Sequence, residues 1–153
     1  MGLIRKARIA DVGEIRKILR RFADQGQLLP RTMAELYSQV RDYYVFQEND
    51  HSPIVGISAL HVCWESLGEL RSVAVQQQVQ GKGIGSRLVE TCLSEAITLG
   101  LEQVFVLTYR PDFFSRFGFE IVDKNLLPHI VWADCVRCTK FPECDEIAMV
   151  LKF

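Results

Sequence analysis

The chain has 153 residues, 48% of them hydrophobic and 24% charged, enough for one domain with a sizeable buried core. Lys and Arg number 18 against 19 Asp and Glu; the net charge of −1 gives no electrostatic footprint for nucleic acid or an anionic membrane and favours a small-molecule partner. No apolar run approaches the ~20 residues that span a bilayer and the N-terminus lacks a signal-peptide pattern, so a cytoplasmic location is expected, where five cysteines read as reduced thiols or metal ligands.

Leu3 to Ala7 alternates as a first strand. Asp11 and Glu14 have the spacing of a capping box, and Val12, Ile15, Ile18 and Leu19 follow at helical intervals. The stretch "DQGQLLPR" is a loop, after which Thr32 and Glu35, a second capping box, open a short helix through Tyr37 and Val40. Strands follow in "DYYVFQ", in "IVGISALHVCW" and, after a turn at "ESLG", in "ELRSVAV", an antiparallel meander. From Ser86 the period changes: Leu88, Val89, Cys92, Ala96 and Leu99 share one face of a helix that stops at Gly100. The rest reads as a buried strand in "EQVFVLTY", a short helix in "PDFFSRF", a strand in "GFEIV" and a last strand in "EIAMVLKF". Asp123 to Asp145 is irregular. No repeat or linker interrupts the chain, so residues 1–153 are expected to form a single domain of the α/β (α+β) class.

Between the meander and the long helix lies "QGKGIG", Gln80 to Gly85. A strand, a glycine-rich turn and a helix start put unpaired backbone N–H groups at a positive helix terminus, a site for a pyrophosphate, and glycine lets such a ligand approach the backbone. The Walker spacing is absent, and Gly81, Gly83 and Gly85 do not fit the dinucleotide pattern.

The run "LRSVAVQQQVQGKGIGSRLVE" resembles the coenzyme A motif of the Gcn5-related N-acetyltransferases (GNAT), Gln/Arg-x-x-Gly-x-Gly/Ala, with Gln80, Gly83 and Gly85 in its fixed positions. The element order is similar over nearly the whole chain, and "FFSRFGFE" resembles the family's closing helix–strand motif. The resemblance implies an acyl-CoA N-acyltransferase fold, a mixed and mostly antiparallel sheet flanked by helices, with acetyl-CoA as donor. It implies that the amides of Gly81, Gly83, Gly85 and Ser86, within the segment Gln80, Gly81, Lys82, Gly83, Ile84, Gly85 and Ser86, hold the pyrophosphate. The strand Val73, Ala74 and Val75 would pair with the pantetheine arm through the backbone of Val73 and Val75.

Acetyl transfer to an amine needs a proton acceptor, a stabilised oxyanion and a protonated leaving thiolate. By resemblance Glu69, which opens "ELRSVAV", is the general base, against the alternative of a solvated carboxylate beside a turn. The closing motif departs from the family: Phe114 stands where many relatives carry the tyrosine that protonates the thiolate. Tyr109, Ser115 and water are the substitutes, with Tyr109 carried as the catalytic candidate.

Arg31, Arg71 and Arg110 are the candidates for gripping an acceptor carboxylate, which an arginine does bidentately; surface arginines are the alternative. "GQLLPRTMAEL", "ELRSVAV" and "VFVLTYRPDFFSRFGFE" together resemble the acetyltransferase domain of N-acetylglutamate synthases, in a short stand-alone form. Glutamate as acceptor and a place in arginine biosynthesis follow as expectations from that likeness; dimers are common in the family, but no motif here requires a homodimer. Acetylation of another small-molecule or protein amine, or a non-catalytic acyl-CoA sensor, are the alternatives. No metal is expected; Cys135, Cys138 and Cys144, spaced C-x2-C-x5-C, are the candidate ligands, with reduced thiols packing an irregular loop as the preferred reading. The same segment is expected to close over the acceptor.

Overall fold

The computed structural model describes residues 2–26, 28, 30–127 and 146–153. Among them run strands β1 (Leu3–Lys6), β2 (Tyr43–Gln47), β3 (Ile54–Trp64), β4 (Leu67–Val75), β5 (Gln103–Thr108), β6 (Glu120–Val122) and β7 (Ile147–Lys152), in one sheet of order β1-β2-β3-β4-β5-β7-β6. Helices α1 (Val12–Asp24), α2 (Met33–Ser38), α3 (Ile84–Leu99) and α4 (Pro111–Ser115) flank it. β1 with β2, β2 with β3, β5 with β7 and β6 with β7 pair antiparallel. β4 runs parallel to β5 through Leu67↔Gln103, Gly68↔Val104 and Glu69↔Phe105. The sheet is therefore mixed and mostly antiparallel, as expected. By internal contacts the chain divides into two units, Met1–His61 with Leu70–Glu95, and Val62–Glu69 with Ala96–Phe153.

In the first unit the predicted apolar face of α1, Val12, Ile15, Ile18 and Leu19, is buried against Leu36 of α2, Tyr43 and Val45 of β2, Ile54, Ile57 and Ala59 of β3 and Ala74 of β4. Each large aliphatic side chain buried this way contributes about 1.5–3 kcal/mol. A second cluster joins Phe46, Val55, Val79, Ile84 and Leu88. In the second unit Leu67, Phe105, Leu127 and Ala148 form the core, with Cys63, Leu107, Val122 and Val150 packed on it.

The helix boundaries correct four expectations. Thr32 and Glu35 do form the capping box of α2: Glu35 N donates to Thr32 Oγ1 at 3.1 Å, and Thr32 N donates to Glu35 Oε1 at 3.2 Å. Asp11 and Glu14 do not pair this way. Glu14 Oε2 instead accepts from Ile54 N at 3.0 Å, and Asp11 accepts from Arg5 and from Arg8 N. Val40 lies past α2, in a 3₁₀ turn Val40–Asp42, and β4 starts inside the supposed "ESLG" turn, at Leu67. Leu99 is 56% exposed and Leu101 is buried in its stead. The cause is the helix stop: Leu101 N donates to Ala96 O and Gly100 N to Ile97 O, a Schellman closure that swings the chain so that Leu101 points inward.

Asp11 is a heavily bonded carboxylate of the first unit. Its Oδ2 accepts from Arg5 Nη1 at 2.7 Å and from Arg8 N at 2.7 Å, and its Oδ1 accepts from Arg5 Nη2 at 3.0 Å. The Arg5 guanidinium, more than the Arg8 amide, holds the Asp11 carboxyl below its usual range against the opposing effect of burial. A lowered folded value means that this stabilisation is complete above the unfolded carboxylate value of about 3.9 and is lost as pH falls through the folded value. Asp11→Ala should cost about 1–3 kcal/mol at pH 7 by removing the charged partner of Arg5, which keeps its bonds to Gln47 and Lys6 O. Urea unfolding of the variant should also lose much less stability than the native chain as pH falls from 5 to 2; parallel curves for the two would exclude the pair as an acid-sensitive tie.

Candidate active site

The loop between β4 and α3 is anchored at both ends. Val79, closing a 3₁₀ turn Gln77–Val79, and Ile84, the first residue of α3, are buried in one cluster, whereas Gln80, Gly81, Lys82 and Gly83 between them are exposed. Gly81 and Gly83 have φ of +82 and +80, a region that costs an L-residue about 1–2 kcal/mol. A Cβ on either would meet nothing within 4 Å, so what the turn demands of these two positions is conformation. Gln80 Nε2 donates to Val75 O at 2.9 Å and ties the loop back to the end of β4. α3 consequently starts at Ile84, two residues before the predicted start at Ser86. Arg87 N already donates to Gly83 O, so Gly85 and Ser86 lie in the first turn, whose amides lack acceptors within the helix. The side chains of Ala74 and Ile84 belong to the core, which leaves only their backbone for a ligand.

The same unit holds Arg31 and Arg71, each only 8% exposed. Arg31 precedes the capping box of α2, and its Nη1 lies 3.6 Å from Glu35 Oε2, while the other oxygen of Glu35 receives Thr32 N. Arg71 Nη2 donates to Gln39 Oε1 at 2.9 Å. Near both guanidiniums stands Tyr43, whose hydroxyl is 3.2 Å from Ser72 Oγ. Burial pushes the Tyr43 phenol up; the Ser72 bond, Arg31 and Arg71 pull it the other way. Ser72 is a non-glycine residue at φ +58 in the middle of β4, and Arg71 and Ser72 are consecutive yet both buried. The left-handed turn at Ser72 breaks the alternation of the strand and aims two successive polar side chains inward. Gln39, Tyr43 and Ser72 were not singled out in the sequence. The first two carry no motif, and nothing about a serine in "LRSVAV" signals a positive φ, for which Gly or Asn is the usual residue.

The second unit holds the remaining candidates. Glu69 is half-buried on β4, opposite Phe105 in the parallel register. Tyr109 and Arg110 are exposed after β5, where Arg110 N donates to Thr108 Oγ1 at 2.8 Å. Ser115 donates its hydroxyl to Asp112 O at 2.9 Å within α4. Phe114 is 6% exposed, with its ring edge-on to Phe113 at 5.0 Å and Phe119 at 5.8 Å between centroids. The structure thus brings Arg31, Arg71 and the glycine loop into one unit and Glu69, Tyr109 and Arg110 into the other. Cys135, Cys138 and Cys144, and the expected closure over the acceptor, lie outside the described residues. Among the described residues no group of three or more His, Cys, Asp or Glu is arranged to hold a metal, and no helix is long and apolar enough to cross a membrane.

A profile of the Acetyltransferase (GNAT) domain matches residues 39–121. The chain is 38% identical over 136 residues to an amino-acid acetyltransferase of Mycobacterium tuberculosis, covering 88% of this chain and 78% of that one. A solved Mycobacterium tuberculosis structure in complex with CoA superposes with a TM-score of 0.85 at 31% identity, covering 99% of each chain. The N-acetylglutamate synthase of Neisseria gonorrhoeae, complexed with coenzyme A and N-acetyl-glutamate, shares the fold with a TM-score of 0.88 at 24% identity over 99% of this chain and 35% of that one. The glycine turn that opens α3, the mixed sheet and these likenesses agree that the chain belongs to the GNAT family, as an acetyl-CoA-dependent N-acetyltransferase.

Proposed function

We propose that the acceptor is L-glutamate, acetylated on its α-amine by direct transfer from acetyl-CoA. The observation that carries this reading is the pair of guanidiniums, Arg31 and Arg71, buried near one tyrosine in the unit that holds the glycine loop. Burying two cations in one unit is costly, and an anionic acceptor offsets that cost where a polyamine would add to it. The name of the 38%-identical relative, amino-acid acetyltransferase, points the same way. Residues 1–153 form a single acetyltransferase domain in this reading, cytoplasmic, serving arginine biosynthesis and able to act as a homodimer.

The chemistry divides among named groups. The amides of Gly81, Gly83, Gly85 and Ser86, at the positive end of α3, take the pyrophosphate, with Gln80, Lys82 and Ile84 completing the loop. The backbone of Val73 and Val75, flanking Ala74, takes the pantetheine arm; the Val75 carbonyl, already bonded to Gln80, leaves its amide for that role. Arg31 and Arg71 grip the acceptor's carboxylates, with Arg110 as a further cation. Glu69 removes the ammonium proton, directly or through water, and the freed nitrogen attacks the thioester carbonyl. The tetrahedral intermediate, still carrying a second proton on nitrogen, collapses with loss of the CoA thiolate, and that proton passes to the thiolate through Tyr109 or water, leaving a neutral amide and the CoA thiol. Holding both reactants in one ternary complex supplies much of the rate by itself.

Thiol release from acetyl-CoA, followed against a panel of amino acids and polyamines, is the direct test. Glutamate should give the highest kcat/KM, and activity confined to other amines would overturn the assignment. Glu69→Gln should lower kcat increasingly as pH falls, since solution supplies less free amine there; an unchanged pH profile would remove Glu69 from the base role. Gly83→Ala should raise the KM for acetyl-CoA roughly tenfold by straining a φ of +80, with little effect on the KM for glutamate.

A further inference from the structure

We propose that Gln39 is a positioning residue for the acceptor: its side-chain carbonyl holds the Arg71 guanidinium in place for a substrate carboxylate, and the neutral amide does so without competing for that role. The proposal rests on the reading of Arg71 as a carboxylate grip.

The two buried arginines are held by one short helix in two different ways. At the start of α2, Arg31 lies beside Glu35, a carboxylate whose other oxygen is committed to the Thr32 amide. At its end, Gln39 presents an amide oxygen to Arg71 Nη2 at 2.9 Å across a sequence separation of 32 residues. The backbone of Gln39 is pinned on both sides, since its N–H donates to Glu35 O at 2.9 Å and its C=O accepts from Asp42 N at 2.9 Å. The half-buried side chain therefore projects from a fixed point, and little rotamer freedom is left to lose when it grips the guanidinium.

Chemistry makes the choice of glutamine informative. A carboxylate at position 39 would bind a guanidinium more strongly than an amide does, by the added charge. For folding alone, Glu would be the better residue. For catalysis it would be the worse one, because a protein carboxylate bonded to Arg71 occupies the geometry that a substrate carboxylate needs. The amide satisfies the donor without adding a competing charge of its own, the kind of compromise found where a site serves binding at the expense of stability.

Gln39→Met and Gln39→Glu separate these roles. Met keeps the length and removes the acceptor; Glu keeps the acceptor and adds charge. With whichever panel member the unaltered protein uses best, Gln39→Met should raise the acceptor KM roughly tenfold, the size of one hydrogen bond to a charged group. Gln39→Glu should raise it at least as much while the midpoint of thermal unfolding stays level or rises, and the KM for acetyl-CoA should stay within about twofold in both. A merely structural role would be rescued by Glu, so a native acceptor KM in Gln39→Glu overturns the proposal, as does an equal rise in both KM values. If the best acceptor is an amino acid other than glutamate, the functional reading fails while the KM split still decides on Gln39. An acceptor that lacks a carboxylate, or no turnover with any amine, overturns both.

Discussion

Two left-handed glycines stand between the end of β4 and the start of α3, and the proposed donor site hangs on the turn they make. With φ of +82 and +80 the chain reverses in a few residues, whereas L-residues there would add about 1–2 kcal/mol each. The turn is held rather than loose. Val79 and Ile84 are buried on either side of it, and the Gln80 amide clips it to the Val75 carbonyl. Because the helix begins immediately after Gly83, the N–H groups of its first turn stand at the loop itself, the donors on which the proposed pyrophosphate site draws. A start at Ser86 would have withdrawn them by half a turn.

The proposed acceptor site is built on the opposite principle. Around the turn, packing is used to fix a bare backbone; around Arg31 and Arg71, polar groups are sunk into a unit whose core is otherwise aliphatic. Buried cations and a serine at φ +58 each oppose folding, the latter by about 1–3 kcal/mol. The partners that make this tolerable come from separate stretches: Glu35 and Gln39 from the two ends of α2, Tyr43 from β2, Ser72 from β4. Such a cluster is the kind of locally unfavourable arrangement that a binding site explains and a scaffold does not.

What could be read from the residues divides along the range of the interactions. β3 occupies Ile54–Trp64, the run "IVGISALHVCW" from end to end, because its apolar run and its flanking turn residues are local. The Thr32–Glu35 capping box and the Gly100 stop are likewise closed within a turn of helix. The Asp11–Glu14 spacing had the same local form and failed, since Ile54 N and Arg5, 40 and 6 residues away, out-competed the helix amides for those carboxylates. Gln39 and Ser72 fall in this second class: one is defined by a partner 32 residues off and the other by a backbone angle, and neither leaves a pattern in sequence. The arginines were legible as types suited to a carboxylate, but not as buried, which is the property that gives them weight.

Phe114 shows how packing and chemistry constrain each other at the leaving group. It is 6% exposed, its ring set edge-on against Phe113 and Phe119, contacts worth about 0.5–1.5 kcal/mol each beyond simple burial. A hydroxyl added at that ring would need a buried partner or cost about 1–3 kcal/mol, so the position serves the core of the second unit rather than proton transfer. The reaction tolerates this loss because its two proton transfers are unequal. A thiol loses its proton near pH 8.5, so a departing thiolate is stable enough to leave without an acid in place. An alkylammonium is inert until it is deprotonated, and no later step can compensate. In the proposed mechanism the base therefore matters more than any acid, and Phe114 is given over to aromatic packing.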